Sequence, residues 1–303
     1  MQTGIIYLLT KKKHAARLVV SLASLRRWYS GPVTIFTTRP ESHEIGELCC
    51  ADPRLGTNQI RIQERMAKTQ ETAFLTKSTA IANSPYPATV YMDADTLVVG
   101  DISPLIESAP MSDVTAIVFH RWKTTDRHLV ELLSTWRKHE GKKRDRFGLK
   151  QLIDGLLANP FPGINAGIFA MKPSSPILQD WHDLSYLGRK NYIPDEIALQ
   201  LLLQRYPHRL LDTRFNCHPS ANPEMRDVRI WHYAGSLHMC NWGPERNLWY
   251  PAYLECRRHN FAKMAEWSNI KKFPDPKFAR RLEKRFKKKR RTQSRASSVS
   301  NLN

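Results

Sequence analysis

No stretch of this sequence approaches the ~18 consecutive apolar residues that a membrane-crossing helix requires, which argues against a transmembrane span. The opening MQTGIIYLLTKKKH sets a short apolar run ahead of the lysines. A secretory leader has the opposite order and a longer apolar segment, so no export signal is expected. Cysteine is scarce. Cys49, Cys50, Cys217, Cys240 and Cys256 are odd in number and form no Cys-x-x-Cys pair, which disfavours a disulfide framework or structural zinc site and points to a reducing, cytoplasmic setting. No unit of roughly 20–50 residues recurs, which excludes a solenoid. Acidic residues are also short, 28 against 47 Lys and Arg, leaving a formal net charge of +19. What is present is an ordinary core allowance: 41% hydrophobic residues over 303 positions suit one large α/β domain or two modest ones, not a chain disordered throughout.

The positive charge is uneven. Residues 271–295 hold 13 Lys and Arg against Asp275 and Glu283, a local balance of +11, so the other residues together carry only +8. Within KFARRLEKRFKKKRR, Phe278, Leu282 and Phe286 fall at i, i+4 and i+8. On a helix they make one narrow apolar stripe in a basic surround, the pattern of a segment that lies on an anionic membrane surface. The same charge suits nucleic-acid phosphates or another polyanion, and a solvated basic tail without a partner is the third reading. The polar TQSRASSVSNLN that follows is expected to be disordered. The division expected is therefore a catalytic-sized domain over 1–270 and a basic tail over 271–303.

Along the first 270 residues, apolar runs alternate with helical spacing. GIIYLLT (4–10) reads as a buried first strand, HAARLVVSLASLRRWY (14–29) as a helix, and VTIFTT (33–38) as a second strand, a βαβ unit whose strands should be parallel. A helix is expected over 66–83 and a strand at Thr89–Met92. VTAIVF (114–119) and GINAGIFAMKP (163–173) read as further strands, IPDEIALQLLLQRYP (193–207) as a helix, and RIWHYAG (229–235) as a strand entering a loop. Residues 122–158 read as a polar helical insertion, with Trp122 and Trp136 amid basic residues as candidate ligand contacts. The alternation predicts a mixed, mostly parallel sheet flanked by helices, in which ligands bind beyond the carboxyl ends of the strands.

The chemistry concentrates in YMDADTLVVGDI (91–102). Asp93 and Asp95 follow an apolar run and are two apart, so at a strand end their side chains can converge on one hard cation. Carboxylate oxygens favour Mg²⁺ or Mn²⁺, ions that also take diphosphate oxygens. His232 ends another apolar run, and Gly235 three residues later would let backbone approach a ligand. Two carboxylates and one imidazole make a mixed site that shifts the preference toward Mn²⁺.

Together these residues resemble glycosyltransferase family 8, the group containing glycogenin and the bacterial lipopolysaccharide galactosyl- and glucosyltransferases. Four motifs carry the resemblance over about residues 4–242: GIIYLLT, YMDADTLVVGDI, GINAGIFAMKP and HYAGSLHMCNW. It implies a GT-A fold and a nucleoside diphosphate sugar donor, usually UDP-linked, held through a divalent metal on Asp93, Asp95 and His232. By the same resemblance Thr10 and His14 lie near the base, and Lys77 near the donor sugar or its phosphate. Ala94 belongs to the donor-binding segment, and Asn165 and Gly167 shape the sugar pocket. Asp195 and Glu196 match the family's Asp-Gln pair near the reacting sugar.

Two positions depart from the family. Glu196 stands where Gln is usual and adds a charge that could stabilise an oxocarbenium-like transition state or act as a base. His238 stands where a lysine usually neutralises the leaving diphosphate, and could do so when protonated or as a neutral donor. The resemblance implies retention of anomeric configuration, while a Glu196 base keeps an inverting route open. It also implies a glycan or glycolipid acceptor such as a lipopolysaccharide, with the basic tail resting on the inner face of the membrane. A glycosyltransferase acting on nucleic acid, and a non-catalytic sugar-nucleotide-binding protein, are the alternatives.

Overall fold

The computed structural model describes residues 2–62, 71–120, 127–141, 146–158, 162–219, 225–234 and 248–266. Its strands are β1 (Thr3–Leu9), β2 (Val33–Thr37), β3 (Thr57–Arg61), β4 (Ala88–Met92), β5 (Thr96–Val98), β6 (Val114–His120), β7 (Gly163–Met171), β8 (His208–Leu211) and β9 (Ile230–His232). The helices are α1 (Ala15–Leu25), α2 (Pro40–Cys50), α3 (Glu71–Ala82), α4 (Ser103–Ser108), α5 (Arg127–Arg137), α6 (Leu149–Ala158), α7 (Ile177–Leu187), α8 (Pro194–Leu202) and α9 (Trp249–Arg258).

Seven strands form one sheet in the order β3-β2-β1-β4-β7-β6-β8, and β5 and β9 form a separate pair. The first four run parallel, β7 is antiparallel to both β4 and β6, and β8 is parallel to β6. The expected βαβ unit is therefore present as β1-α1-β2. β1 and β4 are near-continuous apolar runs because helices cover both faces of the sheet. Alternation along β1 divides its side chains: Ile5, Tyr7 and Leu9 enter the core shared with α1, α2 and α9, while Ile6 enters the core shared with α3, α6, α7 and α8.

Three sequence expectations are corrected. Residues 127–158 are not a polar insertion. Leu129, Leu133 and Trp136 of α5 and Leu149, Leu152, Ile153 and Leu156 of α6 are buried at helical spacing in the second core. The charges lie outside, where Arg137 and Lys150 both pair with Asp154. Trp136 is fully buried, its ring within 2.2 Å of where a side chain on Gly188 would begin, so it is a core residue and not a sugar contact; Trp122 lies outside the described residues. The helix expected to reach residue 207 ends at Leu202, and the chain turns at 203–207 to enter β8 at His208.

The third correction concerns the aspartates. Asp93 and Asp95 do not share a strand face. They sit in the turn between β4 and β5, which belong to different sheets.

Candidate active site

Register explains why residues far apart in sequence meet. β7 runs antiparallel to β4 with Ile168 opposite Met92, so its first half lies beside the carboxyl end of β4. There the Asp93 backbone N–H donates to the Gly167 carbonyl at 2.7 Å. β5 and β9 pair with His232 opposite Thr96, which sets the imidazole against Asp95. The turn is held by the Thr96 hydroxyl donating to the Asp93 carbonyl at 2.9 Å and the Tyr233 N–H donating to the Asp95 carbonyl at 2.9 Å. Contact is so close that Gly167 admits no side chain: a Cβ there would lie 2.1 Å from His232 Cε1 and 2.9 Å from Asp93 Oδ2.

His232 Nε2 lies 3.3 Å from Asp95 Oδ1 and 3.9 Å from Asp93 Oδ2. One donor atom from each of the three side chains falls within 4.8 Å of the other two. The imidazole is 1% exposed and the Asp93 carboxyl 28%, so the cluster is closed behind and open in front. His232 Nε2 is buried without a hydrogen-bond partner. A buried nitrogen facing only carboxylate oxygens calls for a cation shared among them, either a proton on the ring or a metal ion. The donor set therefore fits a divalent metal with open coordination positions.

The surrounding groups are equally ordered. The Tyr91 hydroxyl donates to Asp93 Oδ1 at 2.7 Å. The buried Lys77 ammonium donates to the Ala166 carbonyl at 2.9 Å and faces Asp195 Oδ2 at 3.0 Å and Asp93 Oδ2 at 3.5 Å. Its three protons are thus directed at protein atoms. Asp195 and Glu196 are buried in the first turn of α8, and the Trp181 indole N–H donates to the Asp195 carbonyl at 2.7 Å. Ile193, just before α8, has φ 42° and ψ 58°, a left-handed conformation that β-branched residues rarely adopt. That bend drives the acidic turn toward β7, where Asn165 Nδ2 donates to Glu196 Oε2 at 2.6 Å.

Burial and the nearby Asp195 charge push the Glu196 carboxyl up to about 8, against the opposing pull of Lys77, the Ala166 backbone and Asn165. Burial likewise raises the Asp93 carboxyl, with Lys77 pulling the other way. Asp95 is held below the usual carboxylate range, since His232 and Arg17 outweigh its burial. Burial, Arg17 and Lys13 push His14 down to about 4, so it is neutral at physiological pH.

Of the residues expected from sequence, Asp93, Ala94, Asp95, Asn165, Gly167, Lys77, Asp195, Glu196 and His232 are brought together. Thr10 and His14 follow β1 on the same side of the sheet, and His14 is near enough to Asp95 to feel its charge. Gly235 and His238 lie outside the described residues. The sequence reading passed over Arg17, whose guanidinium lies 3.4 Å from Asp95 Oδ2. It also passed over Tyr91 and Asn216, whose Oδ1 lies 2.8 Å from His232 Nδ1. Arg17 had a signal, since it lies one helical turn after His14. Asn216 had none.

Neither a protein-family model nor a curated protein matches this sequence. Solved structures do. The galactosyltransferase LgtC, in complex with donor and acceptor sugar analogues, superposes with a TM-score of 0.56 at 13% identity, covering 83% of this chain and 95% of that one. This chain has the GT-A glycosyltransferase fold. The glycosyltransferase GlyE of Streptococcus pneumoniae TIGR4 gives 0.55 at 14% identity, over 87% of this chain and 64% of its own. Mouse xyloside xylosyltransferase 1 gives 0.51 at 15% identity, over 78% and 98%.

Proposed function

We propose that this protein is a metal-dependent glycosyltransferase of the family 8 kind, which moves a hexose from a nucleotide sugar, UDP-linked by resemblance, to an acceptor hydroxyl with retention. One observation carries the reading: two carboxylates and a buried imidazole nitrogen that faces them converge beyond the carboxyl end of β4, where open α/β sheets bind ligands. Asp93, Asp95 and His232 would hold Mn²⁺ or Mg²⁺. Such an ion supplies Lewis-acid stabilisation of charge developing on the departing diphosphate.

The chain's own groups take the remaining roles. Neutral His14 and Thr10 would flank the nucleobase, which needs hydrogen bonds and no charge. Arg17 adds a cation at the edge of the acidic turn, next to where a diphosphate would sit. Lys77 acts indirectly, by fixing the carboxyls of Asp93 and Asp195. Asn165 and Gly167 shape the wall against which the sugar lies. Asp195 and Glu196 stand at the reacting centre. With its carboxyl raised to about 8, Glu196 is mostly protonated at pH 7 and donates a hydrogen bond more readily than it accepts a proton. That favours retention over an inverting route through a carboxylate base. The acceptor that fits the chain's charge is an anionic glycan or glycolipid such as a lipopolysaccharide.

A melting screen of nucleotide sugars with and without Mn²⁺ tests this. A ligand at 100 times its dissociation constant stabilises by roughly 2.7 kcal/mol, a shift of several kelvin. The expected result is such a shift for a UDP-sugar with Mn²⁺, absent in Asp95→Ala. Equal shifts in wild type and variant would overturn the reading.

A further inference from the structure

We infer that Asn216 is a positioning residue that, through a one-way hydrogen-bond relay, keeps a proton on His232 Nδ1 and so leaves Nε2 as the nitrogen that faces a metal. This rests on the metal reading above and extends it behind the imidazole. Asn216 is fully buried and supplies no ligand atom to the cluster. Its Oδ1 stands 2.8 Å from His232 Nδ1, and its Nδ2 stands 3.4 Å from both the carbonyl and the Oδ1 of Asn165. Asn165 Nδ2 donates in turn to Glu196 Oε2 at 2.6 Å.

Amide orientation is set by hydrogen-bond context, and here the context contains two groups that cannot reverse. The Gly167 backbone N–H, a donor only, meets Asn165 Oδ1 at 2.9 Å. That fixes the Asn165 amide with its oxygen toward Gly167 and its nitrogen toward Glu196. The Asn165 carbonyl, an acceptor only, faces the Asn216 side chain, and Asn165 Oδ1 faces it too. Both call for a donor there, so the Asn216 nitrogen points to Asn165 and its oxygen points to the ring. An oxygen 2.8 Å from Nδ1 requires a proton on Nδ1.

Every bond in the chain then runs in one sense, from imidazole through two amides to the carboxyl, and turning either amide would set like groups against each other. The backbone of β7 thus decides which imidazole nitrogen can serve as ligand. A hydrogen bond of this kind behind a ligating histidine orients the ring and raises its basicity.

The first experiment needs no variant. In ¹⁵N-labelled metal-free protein, the His232 ring spectrum should show a proton on Nδ1, whatever the state of Nε2. A ring with its single proton on Nε2 overturns the inference. The second measures Mn²⁺ affinity by the electron paramagnetic resonance of free Mn²⁺. Asn216→Ala should bind Mn²⁺ about 10- to 100-fold more weakly than wild type, whereas Asn216→Gln, which can restore an oxygen toward the ring, should recover part of the loss. Unchanged affinity in Asn216→Ala overturns the positioning role. Wild type that binds no Mn²⁺ while keeping the Nδ1 proton would sink the metal reading and leave the relay standing, so the two failures are separable.

Discussion

At the scale of single residues, two positions translate directly into measurements. Gly167 carries no side chain because His232 Cε1 and Asp93 Oδ2 occupy the space. Gly167→Ala must displace a ring or a carboxylate that other bonds hold in place, which overpacks the site by about 1–3 kcal/mol. A lower melting temperature and Mn²⁺ binding weakened by about tenfold or more are expected, checked by thermal melts and titration.

Glu196 gives a pH signature. Its carboxyl is raised to about 8 in the fold, from 4.5 ordinarily. Between those values the unfolded chain has lost a proton that the folded chain retains. The stabilising contribution is therefore complete below pH 4.5 and is lost as pH rises through 8. In chelator, Glu196→Gln should become more stable relative to wild type as pH rises from 5 to 8, by up to a few kcal/mol in urea unfolding. Parallel curves for the two proteins would show that the carboxyl is not raised.

At the scale of elements, the helix pair α5 and α6 shows how charge can hide burial. The charged run KHEGKKRDR between the two helices draws attention to itself, yet one face of each helix is leucine, isoleucine or tryptophan and fills the second core. Because Trp136 lies in that core, Trp136→Phe should lower stability by about 1–3 kcal/mol and leave the Mn²⁺-dependent nucleotide-sugar shift unchanged. A variant that melts normally but loses ligand binding would return Trp136 to the site. The entry to α8 is an element-scale feature as well. Ile193 adopts a left-handed conformation, yet the acidic turn it aims is packed against Lys77, Trp181 and Asn165, and those contacts offset the strain.

At the scale of the whole molecule, more than half of the +19 charge lies in residues 271–295, outside the described residues. Among the described residues no helix is long and apolar enough to cross a membrane. For the basic segment with Phe278, Leu282 and Phe286, the expectation from sequence is attachment to an anionic surface. Deleting residues 271–303 should abolish co-sedimentation with phosphatidylserine vesicles in low salt, while the nucleotide-sugar melting shift persists. Binding retained by the truncated chain would place the attachment elsewhere. Wild-type binding should also weaken as salt rises, since surface charges are screened over about 10 Å at 0.1 M.

The sequence by itself determined the alternation of strands and helices, the parallel start of the sheet, and the acidic pair placed where β4 stops. Those are local matters of apolar period and turn chemistry, and a single chain displays them. It also marked Lys77, Asn165, Gly167, Asp195, Glu196 and His232, through resemblance more than through any spacing of their own. Only the tertiary structure decided that His232 stands against Asp95, that Gly167 has no room for a methyl group, and that Asn216 lies behind the imidazole. These depend on the register of β7 with β4 and of β9 with β5, pairings between segments some 70 to 140 positions apart. Apolar period says that a strand exists, but the partner and register of that strand are set by the packing of the entire sheet.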